Sequence, residues 1–184
     1  MDNLDVVVAG GGNAALCAAI SAREKGASVT VFEAAPKQMR GGNTRHTRNL
    51  RASHTTPIES LEGCYDEEEF FDDIFKVTHG NTNESLARLM IHHSMSLVSW
   101  LRSRGVHYQP ALSGTLSLNR TNAFFLGGGK TLLNKLYAHA EKIGVQIIYD
   151  AEVVSAAISN NRVHTIEVDY QEDRQTFEIG HLIA

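Results

Sequence analysis

Near the start of the chain, Gly10-Gly11-Gly12-Asn13-Ala14-Ala15 and an acid 21 positions beyond Gly12, Glu33, have the types and spacing to hold a dinucleotide. Gly10, Gly12 and Ala15 fit the G-x-G-x-x-G/A pattern, and each position has its own physical demand: a turn with unusual φ, room for a pyrophosphate, and close packing of helix on strand. A diphosphate there would meet the unsatisfied N–H groups and the positive dipole end of a helix. The Glu33 carboxylate could accept hydrogen bonds from ribose hydroxyls. For these residues to work together, a strand, a tight turn, a helix and a second strand must position them. The sequence supplies those parts in order: the β-branched run Asp5–Ala9, the glycines, the apolar segment Leu16–Ile20, and the second run Ser28–Glu33. That is the start of a βαβ unit carrying a dinucleotide, with FAD and NAD both open at this point.

A second group of candidates follows. From Ala34 to Ile58 there is no acidic residue, while Lys37, Arg40, Arg45, Arg48, Arg51, His46 and His54 all occur. Four of the chain's eleven arginines fall within twelve residues, Arg40 to Arg51. A run of one charge sign is commonly a solvated face. Beside a dinucleotide turn it also suits an anionic ligand, because the guanidinium fork matches carboxylate geometry. By its pKa His46 could serve as a base.

Composition bounds the rest. The chain has 184 residues, 42% hydrophobic and 21% charged, enough for one globular core. A formal net charge of −4 argues against a general nucleic-acid binder. Cys17 and Cys64 have no metal spacing and form no disulfide framework, which suits a reducing compartment. The opening residues lack a basic, apolar leader, and the glycine-rich run from Val6 to Ile20 is too short to span a bilayer, so the expected location is cytoplasmic.

Further along, Asp66 with Glu69 reads as a helix cap, followed by Phe70, Phe71, Ile74 and Phe75 on one face. A second helix is expected from about Asn83 to Arg104, turning Leu86, Leu89, Met90, Leu97, Trp100 and Leu101 inward, with Gly105 ending it. His92 and His93 are adjacent and read as ordinary helix residues. A short strand Val106–Tyr108 and a loop through Pro110, Ser113 and Gly114 come next. Gly127-Gly128-Gly129-Lys130-Thr131 resembles the end of a Walker A loop, but Phe124 stands where that pattern needs glycine. A P-loop-like NTP-binding protein is the rival reading from another class. After a helix at about Thr131–Ile143 and the strand Val145–Tyr149, three short strands form an antiparallel meander: Val153–Ile158, Val163–Tyr170 and Gln175–Ile179. Leu182-Ile183-Ala184 begins another apolar run, so the chain is expected to be part of a longer polypeptide.

This order of parts resembles the flavoprotein subunits of the succinate dehydrogenase and fumarate reductase family. The resemblance rests on the Gly10–Ala15 turn, Glu33, the Gly41-Gly42-Asn43-Thr44 loop, the helical excursion, the triple-glycine helix start and the meander. It implies an α/β, Rossmann-like FAD-binding domain, incomplete at its C-terminus, with a helical excursion at about 64–105 and a meander at about 152–180. It implies that Gly10–Ala15 hold the FAD diphosphate, Glu33 with Ala34 the adenosine ribose, and Gly41, Gly42, Asn43 and Thr44 the flavin. Val153 would touch the adenine through its backbone. Asn43 stands where membrane-bound relatives carry a flavin-linked histidine, so the FAD is expected to be noncovalent.

Within that family, the segments Gly42–Arg51 and Phe125–Lys130 look most like the tricarballylate dehydrogenase branch. This likeness implies oxidation of tricarballylate to cis-aconitate, a base taking a proton while a hydride leaves for the flavin, with electrons passed to a membrane partner. A fumarate-reductase-like enzyme and a cobalamin-synthesis flavoprotein are the alternatives within the family. Arg45, His46 and Arg48 are the candidate contacts to a polycarboxylate. No catalytic residue is assigned, because the family's acid/base arginine lies on a capping domain that follows this region, and no metal site or nucleic-acid partner is expected.

Overall fold

The computed structural model describes residues 4–58, 60–111 and 118–184. Glu59 of the acidic run, and Ser113 and Gly114 of the expected loop, lie outside the described residues. The chain divides into two units, one built from the segment ending at His46 with Leu133–Ala184, the other from Thr47–Leu132.

The first unit is built on a six-stranded sheet whose strands lie side by side in the order β5 (Gln146–Tyr149), β2 (Val29–Glu33), β1 (Leu4–Ala9), β8 (Asp173–Ile183), β7 (Arg162–Tyr170) and β6 (Ala151–Ser159). Strands β1 (Leu4–Ala9) and β2 (Val29–Glu33) run parallel, Val8 opposite Val31, and are joined through helix α1 (Asn13–Glu24). All five residues of β2 are buried, the signature of a parallel strand covered on both faces. Helix α1 buries Leu16, Ala19 and Ile20, and full burial of Leu16 and Ile20 contributes about 1.5–3 kcal/mol each. Helix α4 (Gly128–Lys142), which enters this unit at Leu133, buries Leu133, Leu136, Tyr137 and Ala140. It starts at Gly128, three residues earlier than its apolar pattern suggests. Its successor β5 (Gln146–Tyr149) extends the sheet beside β2 in parallel.

The meander consists of β6 (Ala151–Ser159), β7 (Arg162–Tyr170) and β8 (Asp173–Ile183), antiparallel neighbours joined by two tight turns. Asn160, Asn161, Gln171 and Glu172 all have φ between 52° and 67°, the conformation that two-residue hairpins demand. The sequence suggested that the third strand ends at Ile179 and that a separate run begins at Leu182. Instead β8 is continuous. Its first half pairs with β7, and from Ile179 onward it pairs in parallel with β1. Gly180 makes this possible, since a Cβ there would stand 2.7 Å from the Asp5 carbonyl oxygen.

The second unit holds α2 (Glu67–Val77), α3 (Glu84–Arg102) and a two-stranded ribbon, β3 (Asn49–Arg51) with β4 (Asn122–Phe124). Asp66 caps α2 by accepting from the Glu69 N–H at 2.8 Å, and Asn83 caps α3 by accepting from Leu86 N–H at 3.1 Å. Of the expected α2 face, Phe70 is buried and Phe71 and Ile74 half-buried, whereas Phe75 is exposed. The inward face of α3 is corrected more strongly. Ala87, Ile91, Ser94, Val98 and Leu101 face the core, while Leu86, Leu89 and Met90 are exposed. The small Ser94 lets the segment 52–54 approach, with Ser53 N–H donating to Ser94 Oγ at 2.9 Å and Ser53 Oγ–H to the Ile91 carbonyl at 3.0 Å. Val106–Tyr108 forms no strand; Tyr108 makes one isolated bridge to Phe125.

Candidate functional site

At the C-terminal end of β1 the chain turns through Gly10, whose φ of +91° only glycine adopts without strain. Its N–H donates to the Phe32 carbonyl at 2.7 Å, which fixes the turn to the end of β2. Gly12 is the N-cap of α1 and offers no side chain to satisfy the first-turn N–H groups, and that turn carries no acid. Thr44, in a short 3-10 turn at Gly42–His46, accepts from the Asn13 N–H through Oγ1 at 3.2 Å. A cavity of about 350 Å³ opens there, lined by Gly10, Gly12, Asn13, Ala14, Ala15 and Thr44 among others. At Gly12 a Cβ would meet nothing closer than Thr44 Oγ1 at 3.9 Å, so the space beside this glycine is open. An open cavity at a helix N-terminus whose N-cap residue has no side chain and whose first turn carries no acid fits an anionic diphosphate.

Glu33 ends β2 and is 8% exposed. Its carboxylate is already used by the protein: Oε1 accepts from the Ala35 N–H at 2.9 Å, and Oε2 lies 3.5 Å from the Gly41 N–H and 3.4 Å from the Tyr137 hydroxyl. Two carboxylate oxygens offer about four acceptor positions, so capacity for ribose hydroxyls remains. Tyr137 belongs to no motif that singles it out in the sequence. Its hydroxyl donates to the Gly11 carbonyl at 2.8 Å. Burial, and then the nearby Glu33 charge, push its pKa up, so it remains a protonated donor. The i, i+4 relation of Leu133 and Tyr137 on one helix face was the available signal.

The basic loop is less uniform than its composition suggests. Arg40 lies 4.1 Å over the Tyr137 ring, donates to the Tyr149 hydroxyl at 2.8 Å and to Asn134 Oδ1 at 3.3 Å, and Lys37 lies over Tyr149. In the second unit Arg51 pairs with Asp73 at 3.1 Å, and buried His54 sits with its ring nitrogens 3.2 and 3.3 Å from the Ala52 and Glu62 carbonyl oxygens. These residues have structural partners, which weakens them as ligand contacts. Arg45 is half-buried with its guanidinium 3.9 Å from Met39 sulfur, while His46 and Arg48 are exposed. Gly42 and Asn43 are exposed on the 3-10 turn, Gly41 is buried, and Ala34 is exposed beside Glu33. Val153 lies in β6, one of the sheet's two edge strands, opposite Val168 and next to a bulge. Among the described residues there is no group of three or more His, Cys, Asp or Glu placed to hold a metal.

A family model described as FAD binding domain matches residues 5–182. The chain belongs to the FAD binding domain family. Its cofactor is FAD, and the open turn at Gly12 agrees with that assignment. The NADH:fumarate oxidoreductase of Klebsiella pneumoniae (strain 342) is 29% identical over 180 residues, which are 95% of this chain and 19% of that protein. The fumarate reductase (cytochrome) of Shewanella frigidimarina is 30% identical over 154 residues, 83% of this chain and 25% of that protein. This FAD binding domain chain therefore spans about a fifth to a quarter of the length of these relatives. The fold is shared with the open conformation of a flavocytochrome c3 fumarate reductase, at a TM-score of 0.83 and 21% identity, covering 99% of this chain and 33% of that one. Among the described residues no helix is long and apolar enough to cross a membrane.

Proposed function

We propose that this chain is the FAD-binding part of a fumarate-reductase-like oxidoreductase acting at a carbon–carbon bond of a small polycarboxylate. The observation that carries the reading is the open Gly10–Ala15 turn with its cavity, in a chain of the FAD binding domain family. FAD bound there supplies the hydride chemistry. The chain's own part is to hold the cofactor. Gly10–Ala15 take the diphosphate, Glu33 and Ala34 the ribose side, Gly41–Thr44 the flavin side, and Val153 the adenine through its backbone. Asn43 has no nucleophilic ring nitrogen to offer a flavin, and the FAD is held noncovalently.

Arg45, His46 and Arg48 are the substrate contacts in this reading. Lys37, Arg40, Arg51 and His54 are engaged by aromatic rings, a hydroxyl, Asp73 and backbone carbonyls, whereas Arg45 has the weak acceptor Met39 sulfur and His46 and Arg48 are exposed. Two arginines and a histidine suit two carboxylates, and the relatives named as fumarate reductases favour the same substrate class. Tricarballylate is the second reading, carried by the likeness of Gly42–Arg51 and Phe125–Lys130 to that branch of the family.

Steady-state kinetics on the intact protein tests both. Fumarate reduction with a chemical electron donor is compared with tricarballylate oxidation. Replacing Arg45 or Arg48 by Gln should lower kcat/KM about ten- to two-hundred-fold, the loss of one charge-assisted contact worth about 1.5–3 kcal/mol, with FAD content unchanged. Turnover of tricarballylate but not fumarate selects the second reading. Unchanged kinetics in both Gln variants would return the loop to a solvated basic face.

A further inference from the structure

We propose that Tyr137 is a positioning residue of the FAD site, one that locks the glycine turn in its binding conformation from behind. This deepens the FAD reading and rests on it. The three glycines of the turn have no side chains with which to hold themselves, and preorganised donors bind better than mobile ones. Tyr137 supplies the missing anchor from a helix 126 residues away in the chain, its hydroxyl donating to the Gly11 carbonyl at 2.8 Å. That carbonyl belongs to the same peptide unit as the Gly12 N–H. A hydrogen bond to one end of a peptide polarises the other, so the bond also strengthens Gly12 as a donor to an anion.

The fit is close enough to explain Gly11 itself. A Cβ on Gly11 would fall onto the Tyr137 hydroxyl, and would stand 3.2 Å from Tyr137 Cζ and 2.5 Å from Glu33 Oε2. One turn earlier on the same face of α4, Leu133 does the same to the second glycine loop, where a Cβ on Gly41 would overlap Leu133 Cδ1. Tyr137 is in turn held in place: it is fully buried and the Arg40 guanidinium stacks on its ring. The phenol has one proton and two acceptors, Gly11 at 2.8 Å and Glu33 Oε2 at 3.4 Å, so the diphosphate turn and the ribose acid share one fixed point.

The test is Tyr137→Phe, which keeps the buried ring and the Arg40 stack and deletes only the oxygen. Hydrogen exchange is read on the flavin-free protein, and FAD affinity by titration with flavin fluorescence. Amides of residues 10–15 should exchange about ten-fold faster and the FAD Kd should rise about ten-fold, the effect of one lost hydrogen bond that leaves a carbonyl unpaired. Tyr108→Phe, which deletes a phenol oxygen bonded to the Val98 carbonyl in the second unit, should move neither. Unchanged exchange at residues 10–15 in Tyr137→Phe overturns the proposal. So does faster exchange spread evenly over the first unit, since that marks a general packing role. Because the exchange is measured without flavin, it judges Tyr137 separately from the parent's FAD affinity, which judges the cofactor assignment.

Discussion

Gly11 and Gly12 are neighbours in one turn, yet the same added methyl group should act differently at the two. Gly12 has φ −72° and ψ 179°, ordinary extended backbone, with no atom nearer to an added methyl than Thr44 Oγ1 at 3.9 Å. Gly12→Ala should therefore meet no clash; the gain of about 0.4–1 kcal/mol from restricting the unfolded chain is set against the poorer N-cap that alanine makes for α1, so stability should stay within about 1 kcal/mol of the parent. For a chain of this size that is a Tm within about 4 °C of the parent. The methyl group then stands in the cavity and should weaken FAD binding about ten-fold, or about 1.4 kcal/mol. Gly11→Ala meets Tyr137 and Glu33 at overlapping or 2.5 Å separation. Overpacking of that kind costs about 1–3 kcal/mol, a fall of about 2–12 °C. Combining it with Tyr137→Phe removes the overlapping oxygen while leaving Cζ at 3.2 Å, so part of the loss should return, as a coupling of at least about 0.5 kcal/mol. Thermal denaturation of the flavin-free variants and FAD titration give all the quantities. Equal destabilisation by the two single changes, or strictly additive losses in the double variant, would refute the division of roles between these glycines.

Two further outcomes follow from the site and from the second unit. Acid precipitation of the purified yellow protein should leave FAD in the supernatant, because Asn43 provides no covalent link; flavin retained in the pellet refutes noncovalent binding. Arg120 holds the Glu69 carboxyl below the usual glutamate range, so the pair's stabilisation is complete above about pH 4.3, where the unfolded glutamate is ionised. As pH falls below that value the unfolded state takes up the proton first, the stabilisation declines, and it is gone below the folded value. Urea midpoints of parent and Glu69→Gln should therefore differ at pH 7 and converge on acidification, and a difference independent of pH would show that the pair's charge plays no part.

What could be read in the sequence, and what could not, divides along a physical line. The β1-turn-α1-β2 order was legible because each part is a local pattern: a β-branched run, a cluster of glycines, and a second β-branched run ending in an acid. The inward face of α3 was not, because its apolar residues occupy two adjacent faces. Hydrophobicity favours the face with Leu86, Leu89 and Met90, whereas packing selects the one with Ala87, Ile91 and Ser94, where the small Ser94 admits Ser53. The basic loop misled for a related reason. Absence of acids within the loop says nothing of Asp73 or of the Tyr149 hydroxyl, which are far away in sequence and claim Arg51 and Arg40. The glycines show the same limit most clearly. A glycine records that something occupies the place of a side chain, but the letter does not say what. At Gly12 the place is open and suits a ligand; at Gly11 and Gly41 it is filled by Tyr137 and Leu133 of α4. A dinucleotide motif is thus partly a record of the helix behind it, and Tyr137 belongs to the site as much as the glycines that announce it.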